Sequence, residues 1–216
     1  MAVVGSDRLS FFEPPPPPPE PLESPRSPEW AGAPQNVVPA SFPLELVLAR
    51  TDELAVFVHA GHAYANGFEF TLGLRKRTPS ERRFDDPMMR WHAARQGAFD
   101  DETPRFGISF ADGRKATIFD EQRWWSAPEG SPEPDIVLRH GGGGGGGAAW
   151  SFGFWVWPLP PDGPLTFVVE WPSEGIPLTR AEVDSAVVRD AATRAVTLWP
   201  GGEPAEAGQI WTKLHS

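Results

Sequence analysis

Cysteine is absent from the 216 residues. That excludes a disulfide framework, a thiolate zinc site and a cysteine nucleophile, and it fits a reducing compartment. Lysine is nearly absent as well. Only Lys76, Lys115 and Lys213 occur, so arginine supplies 16 of the 19 basic residues. Against 29 acidic residues the formal charge is −10, which repels phosphate and argues against nucleic-acid or anionic-membrane binding. No apolar run approaches the roughly 20 residues of a membrane-spanning helix. The opening "MAVVGSDRLSFF" has no basic start followed by an apolar stretch of leader length, so the expected location is the cytoplasm. Catalytic signatures are missing too. There is no G-x-S-x-G elbow, and the seven glycines Gly141–Gly147 lead into "AAWSFGFW", without the Lys and Ser/Thr of a phosphate loop.

What the chain has instead is 26 prolines and 22 glycines, unevenly spread. Residues 1–40 form a proline-rich arm with an unbroken run from Pro14 to Pro19. Proline lacks the amide donor that sheets and helices need, so this arm is expected to be extended, as a spacer or as a ligand for aromatic side chains. Residues 41–200 carry the folded domain, and 201–216 a tail that includes Trp211.

Within the domain the hydrophobic period is two. Leu44, Leu46 and Leu48 share a face, as do Leu54, Val56 and Val58, and then Phe68, Phe70, Leu72 and Leu74 after an Asn66-Gly67 turn. "RFGISFADGRKATIF" reads as a hairpin around Asp112-Gly113. "DIVLRH", the aromatic stretch from Trp150 to Trp157 and "PLTFVVEW" complete about eight strands. Short turns and half-polar alternation predict an antiparallel β-sandwich, immunoglobulin-like in layout. Two helices are expected to interrupt it. One follows Asp86-Pro87 within an insertion at about 78–104 and stops at Gly97. The other spans about 180–199, where Thr179 and Glu182 have the spacing of a capping box and Val183, Val187, Ala191, Ala195 and Leu198 follow at helical intervals.

The glycine run reads as a flexible, exposed connector from one sheet to the other, its seven residues spanning roughly 13–16 Å. The strand after it has a surplus. Trp150, Phe152, Phe154 and Val156 fill one face, which leaves Trp155 and Trp157 on the other. Two bare indoles are more apolar surface than a soluble monomer tolerates, so a cover is expected: the C-terminal helix first, otherwise the proline arm, a second chain or a ligand.

Candidate chemistry is sparse. His59 and His62 are the only close histidine pair and weak metal candidates, needing Asp52, Glu53 or Tyr64 as a third ligand. His92 and His140 lack an identifiable partner. Asp85, Asp86, Asp100, Asp101 and Glu102 gather carboxylates beside Arg82, Arg83, Arg90 and Arg95, a pattern that fits a solvated charged loop better than a paired-carboxylate site. The expected role is a non-catalytic protein-interaction or accessory module, with a protein partner or self-association and with no cofactor. The alternatives are a carbohydrate or small-ligand module with Trp124, Trp125, Trp155 or Trp157 as a stacking platform, and a hydrolase working from the 52–102 region.

The strings "FWVWPLPPDGPLTFVVEWPSEGIPLTRAEVD" and "RFGISFADGRKATIFD", with the "FFEPPPPPP" arm, resemble a group of actinobacterial hypothetical proteins. The resemblance covers most of the chain and agrees with its arginine-rich composition. It implies no activity, cofactor or site residue.

Overall fold

A computed structural model describes residues 28–79, 87–125 and 131–199. These form a mainly antiparallel β structure of two facing sheets. In the larger sheet β4 (Leu54–Ala63), β5 (Phe68–Lys76), β9 (Ala149–Trp157) and β8 (Val137–Gly146) lie side by side. The free side of β4 is shared by β2 (Ala40–Phe42) and β3 (Leu46–Arg50), which are separated at Pro43, where no amide is present to continue the ladder. The smaller sheet has the order β11 (Ile176–Asp184), β10 (Pro164–Trp171), β6 (Arg105–Ser109), β7 (Lys115–Thr117). β3 approaches β11 and β7 approaches β8, so the two sheets draw together at both edges of the sandwich. A two-stranded ribbon of β1 (Val37–Val38) and β12 (Val196–Thr197) ties the two ends of the described chain together.

The period-two patterns make the core. Phe68, Phe70, Leu72 and Leu74 of β5 and Trp150, Phe152, Phe154 and Val156 of β9 point inward against Phe106 and Ile108 of β6 and Leu165, Phe167 and Val169 of β10. Phe70 stands at the centre, 5.2 Å from Phe167 edge-on and 5.6 Å from Phe154 in a stack. The Asp112-Gly113 hairpin and the Tyr64–Gly67 turn form as the sequence predicts, with Gly113 at φ 90°.

α1 (Pro87–Arg95) begins at its proline and gives way at Gly97, φ 99°. Trp91 anchors it: the indole is buried against Phe152 and donates its N–H to the Pro104 carbonyl at 2.6 Å. The single turn α2 (Glu121–Trp125) leads from β7 back to β8. The expected N-cap Asp86, the arm up to residue 27 and the tail from 201 lie outside the described residues.

Three expectations are corrected. The helix expected over 180–199 is replaced by strand β11, the short helix α3 (Ala186–Ala192) and β12. Thr179, Ala181 and Val183 turn inward while Arg180, Glu182 and Asp184 face solvent, and this alternation pairs residue by residue with β10. Thr179 and Glu182 therefore sit in a strand, and the side chain that receives a helix amide is Asp184, which accepts the Ala186 N–H at 2.9 Å. Buried Ser185 fixes the corner by donating its hydroxyl to the Pro161 carbonyl at 2.6 Å.

The glycine run is not a connector between sheets. It is the outer half of β8, paired with β9 in the same sheet from Gly142↔Gly153 to Gly146↔Ala149. It is exposed, as expected, but its backbone lies too close to β9 for side chains at alternate positions. A Cβ on Gly143, which also has φ 138°, would sit 2.2 Å from the Ser151 oxygen, and one on Gly145 2.1 Å from the Ala149 oxygen. Finally, the folded unit starts before residue 41. A turn at Glu29–Ala31, then β1 and β2, place the last part of the arm in the body of the protein.

Candidate interaction surface

The outward face of the larger sheet can be read in rows across β4, β5, β9 and β8. They are Ala55–Arg75–Ala149–Gly146, Phe57–Gly73–Ser151–Gly144, His59–Thr71–Gly153–Gly142 and His62–Glu69–Trp155–Arg139. The first three rows have no side chain larger than threonine on β9 and β8, and on β5 only Arg75 exceeds it. The result is a flat shelf, walled on the β4 side by Phe57 and His59, whose rings are 5.4 Å apart. The Phe57 ring lies over Gly73, where a Cβ would come within 2.4 Å of it. Arg75 holds the far end of the shelf, its guanidinium 5.3 Å from the Phe57 ring and donating to the carbonyls of Leu74 and Trp150 at 2.8 Å. Val47 of β3, 62 % exposed, extends the rim beyond Phe57. Thr71 and Ser151 carry hydroxyls with no hydrogen bond among the described residues, and both remain partly open to solvent.

A bulge places both histidines on this face. Three residues apart on a regular strand they would point to opposite sides. Ala60, at φ 56°, and Gly61 insert an extra residue, so that His59 faces Thr71 and His62 faces Glu69. No group of three or more metal-binding side chains forms among the described residues. Glu69 is engaged by Tyr64, whose hydroxyl donates to it at 2.9 Å. Burial pushes the Tyr64 phenol well above its ordinary value, and the Glu69 charge acts in the same direction.

The fourth row is covered, and not by the expected element. Trp155 is 2 % exposed. The turn at Glu29–Ala31 lies over it, and the indole N–H donates to the Trp30 carbonyl at 3.1 Å. Tyr64 meets the indole edge-on at 5.6 Å, and Gly32 packs beside the Arg139 guanidinium. The C-terminal helix does not provide this cover, because α3 packs on β2 and β4 at the core, with Val188 and Ala191 fully buried. Trp157 is half-buried on the same outward face, one step beyond Trp155. Trp124 is half-buried on α2, away from the shelf, and the side chain of Trp125 lies outside the described set. Of the described side chains, Trp155 and Trp157 thus share this face, and Trp124 lies on a different element.

A second polar group lies where α1 and α2 meet β8. Arg95 donates to the Ile118 carbonyl at 2.9 Å and to Glu121 at 3.1 Å, and Arg139 approaches Glu121 at 3.8 Å. His140 faces inward, 5.6 Å from Phe154 and 6.0 Å from Phe152. Burial holds its imidazole below the ordinary 6.5; Glu121 opposes that shift and Arg95 adds to it. Its Nε2 is shielded and has no hydrogen-bond partner among the described residues. The arrangement joins two helices to a sheet edge rather than aiming a base into a cleft. The carboxylates of the insertion are engaged as well. Glu102 pairs with Arg90, Asp101 with Arg105 at 3.7 Å, and Asp100 accepts the Glu102 N–H and the Thr103 hydroxyl. His92 is exposed on α1, and Asp85 and Asp86 lie outside the described residues.

No protein-family model, curated protein or solved structure matches the chain. No helix among the described residues is long and apolar enough to cross a membrane.

Proposed function

We propose that this protein is a non-catalytic interaction module of the cytoplasm whose working surface is the small-residue shelf of the larger sheet. The observation that carries this reading is the seating of Trp30 on Trp155. A proline-flanked segment already lies on this face, held by an indole donor and a backbone carbonyl acceptor, and three further rows of the same face stay open beside it. Extended, proline-rich chains are bound in this manner, with aromatic rings for the prolines and ring or hydroxyl donors for their carbonyls. Among the described residues the carboxylates Glu69, Asp100, Asp101, Glu102 and Glu121 are each engaged by a neighbouring donor, which favours binding over chemistry.

The test is comparative capture from native lysate with two baits, the wild-type chain and Thr71→Arg, which fills the shelf without touching the core. Proteins retained by the first and lost by the second support the reading. An identical set from both baits, or none from either, overturns it.

A further inference from the structure

We propose that the glycine edge of the larger sheet, Gly142–Gly146 of β8, takes up an extended segment of a partner protein as one further strand, with aromatic or β-branched residues at alternate positions. This rests on the preceding reading for the use of the shelf, because the shelf begins at this edge.

Three observations converge. The first is an open ladder. β8 is the last strand of its sheet and pairs with β9 alone. Alternate residues of such a strand turn their amide and carbonyl away from the sheet. Gly142–Gly146 are all exposed, and among the described residues no backbone bond reaches them from outside β9. The half of β8 before the bulge at Gly141 differs: Val137 and Leu138 are buried, and Arg139 approaches Glu121 of α2 at 3.8 Å.

The second observation is missing protection. Sheet edges are blunted by proline, charge, shortness or a covering element. β11 carries Pro177 and the charges of Arg180, Glu182 and Asp184. β7 is three residues long and begins with Lys115, and β3 ends at Arg50 and lies against β11. Gly142–Gly146 carries neither proline nor charge. The third is room. No atom lies within 4 Å of the place a Cβ would take on Gly142, Gly144 or Gly146, and their rows continue over Gly153, Ser151 and Ala149. A strand laid along β8 therefore faces a strip two strands wide, roughly 10 Å, with nothing on it larger than Ser151. Aromatic and β-branched side chains of a neighbouring strand cover bare glycine backbone of this kind.

These features fix the occupant. Only an extended polypeptide presents amides and carbonyls at strand spacing, so sugar and nucleic acid do not fit. Polyproline, which lacks the amides, suits the shelf but not the edge. A second copy would bring the same bare glycines to the strip, and few residues against the roughly 20–30 a side of a stable interface.

The probes are synthetic peptides, Lys-Thr-X-Thr-X-Thr-X-Lys with X tyrosine, phenylalanine, valine or isoleucine, added to the full isotope-labelled chain. At least one should shift the Gly142–Gly146 amide signals and slow their hydrogen exchange, and leave β10 and β11 unmoved. N-methylation of alternate peptide amides separates strand addition from loose adhesion. One alternate set, facing β8, should weaken binding by about tenfold or more when methylated, and the other by less than about twofold. Gly144→Arg, which fills the strip from an open position, should weaken it by a similar factor, and Gly146→Arg repeats the test should that variant fail to fold. No shift at β8 with any peptide at millimolar concentration, equal effects of the two methylation patterns, or binding that survives both arginine variants overturns the proposal. Light scattering that shows a wild-type dimer dissolved by Gly144→Arg names a second copy as the occupant, and that result also overturns it. If no peptide binds but Thr71→Arg loses its partners in the capture experiment, the interaction reading stands and only the edge site is removed.

Discussion

Replacing single glycines of β8 by alanine should give an alternating pattern of stability. At Gly145 the new Cβ would lie 2.1 Å from the Ala149 oxygen and 2.6 Å from the Trp150 Cα. Both are backbone atoms of β9, which is held by β5 on its other side, so β8 at the sheet edge must yield and not they. Moving the strand away by an ångström or more breaks two or three ladder hydrogen bonds, each worth about 1 kcal/mol, for a loss of about 2–3 kcal/mol. In a domain of this size that corresponds to a fall of about 5–10 °C in melting temperature. Gly143→Ala meets the same obstacle, 2.2 Å from the Ser151 oxygen, and adds the strain of φ 138°. At Gly144 and Gly146 nothing lies within 4 Å and the backbone suits any residue. Alanine there should be neutral or stabilise by about 0.4–1 kcal/mol, because it removes freedom from the unfolded chain. Urea unfolding followed by tryptophan fluorescence reads all four variants. If Gly145→Ala proves as stable as Gly144→Ala, the paired register is wrong and the run is an unpaired tether.

Three further outcomes follow from the same geometry. Trp155→Phe keeps a ring under the Glu29–Ala31 turn but removes the donor to Trp30; it should cost about 2 kcal/mol in denaturant titrations and speed limited proteolysis near residue 30. His140 is held below its ordinary 6.5, so the folded state binds fewer protons than the unfolded one as pH drops. Stability is therefore intact above about pH 6.5 and declines below it; His140→Asn should flatten this decline, and parallel melting curves from pH 7.5 to 5 for the two proteins would refute the assignment. Ser185→Ala leaves the half-buried Pro161 carbonyl without its partner and should lower stability by about 1 kcal/mol in urea, with the β10–β11 hairpin unchanged by circular dichroism.

The parts of the fold that could be read in advance are those in which local pattern and final environment agree. β5 shows its alternation because one face is core and the other carries Glu69, Thr71 and Arg75. The Asp112-Gly113 hairpin is written into its own turn. The outer half of β8 was hidden for a simple reason: a strand of glycines has no side chains, and without side chains there is no period to detect. The stretch 179–198 carries two periods at once. Val183, Val187 and Ala191 keep helical spacing, but Val183 closes a strand and Val187 opens a helix, and pairing with β10 decides the boundary. The alternation Thr179–Ala181–Val183 against Arg180–Glu182–Asp184 was present and was the better guide. At the surface, the need for a cover over Trp155 was legible from the excess of aromatic residues. Its source was not, because Trp30 lies 125 positions away and nothing local links the two. The shared face of His59 and His62 depends on the bulge at Ala60, and an alanine gives no notice of a positive φ.

The ribbon of Val37–Val38 with Val196–Thr197, continued by the Leu198 amide donating to the Asn36 carbonyl at 2.8 Å, makes the chain enter and leave its β body through one gate. A body with its entrance and exit side by side can be spliced into a surface loop of another protein without stretching the host. It can equally be re-cut, with residues 36 and 198 bridged by a short linker and new ends opened at the exposed Gly144–Gly147 tip. Mechanical load applied across the two ends would peel this ribbon first, one rung at a time, and leave the aromatic interior in register until the gate is open.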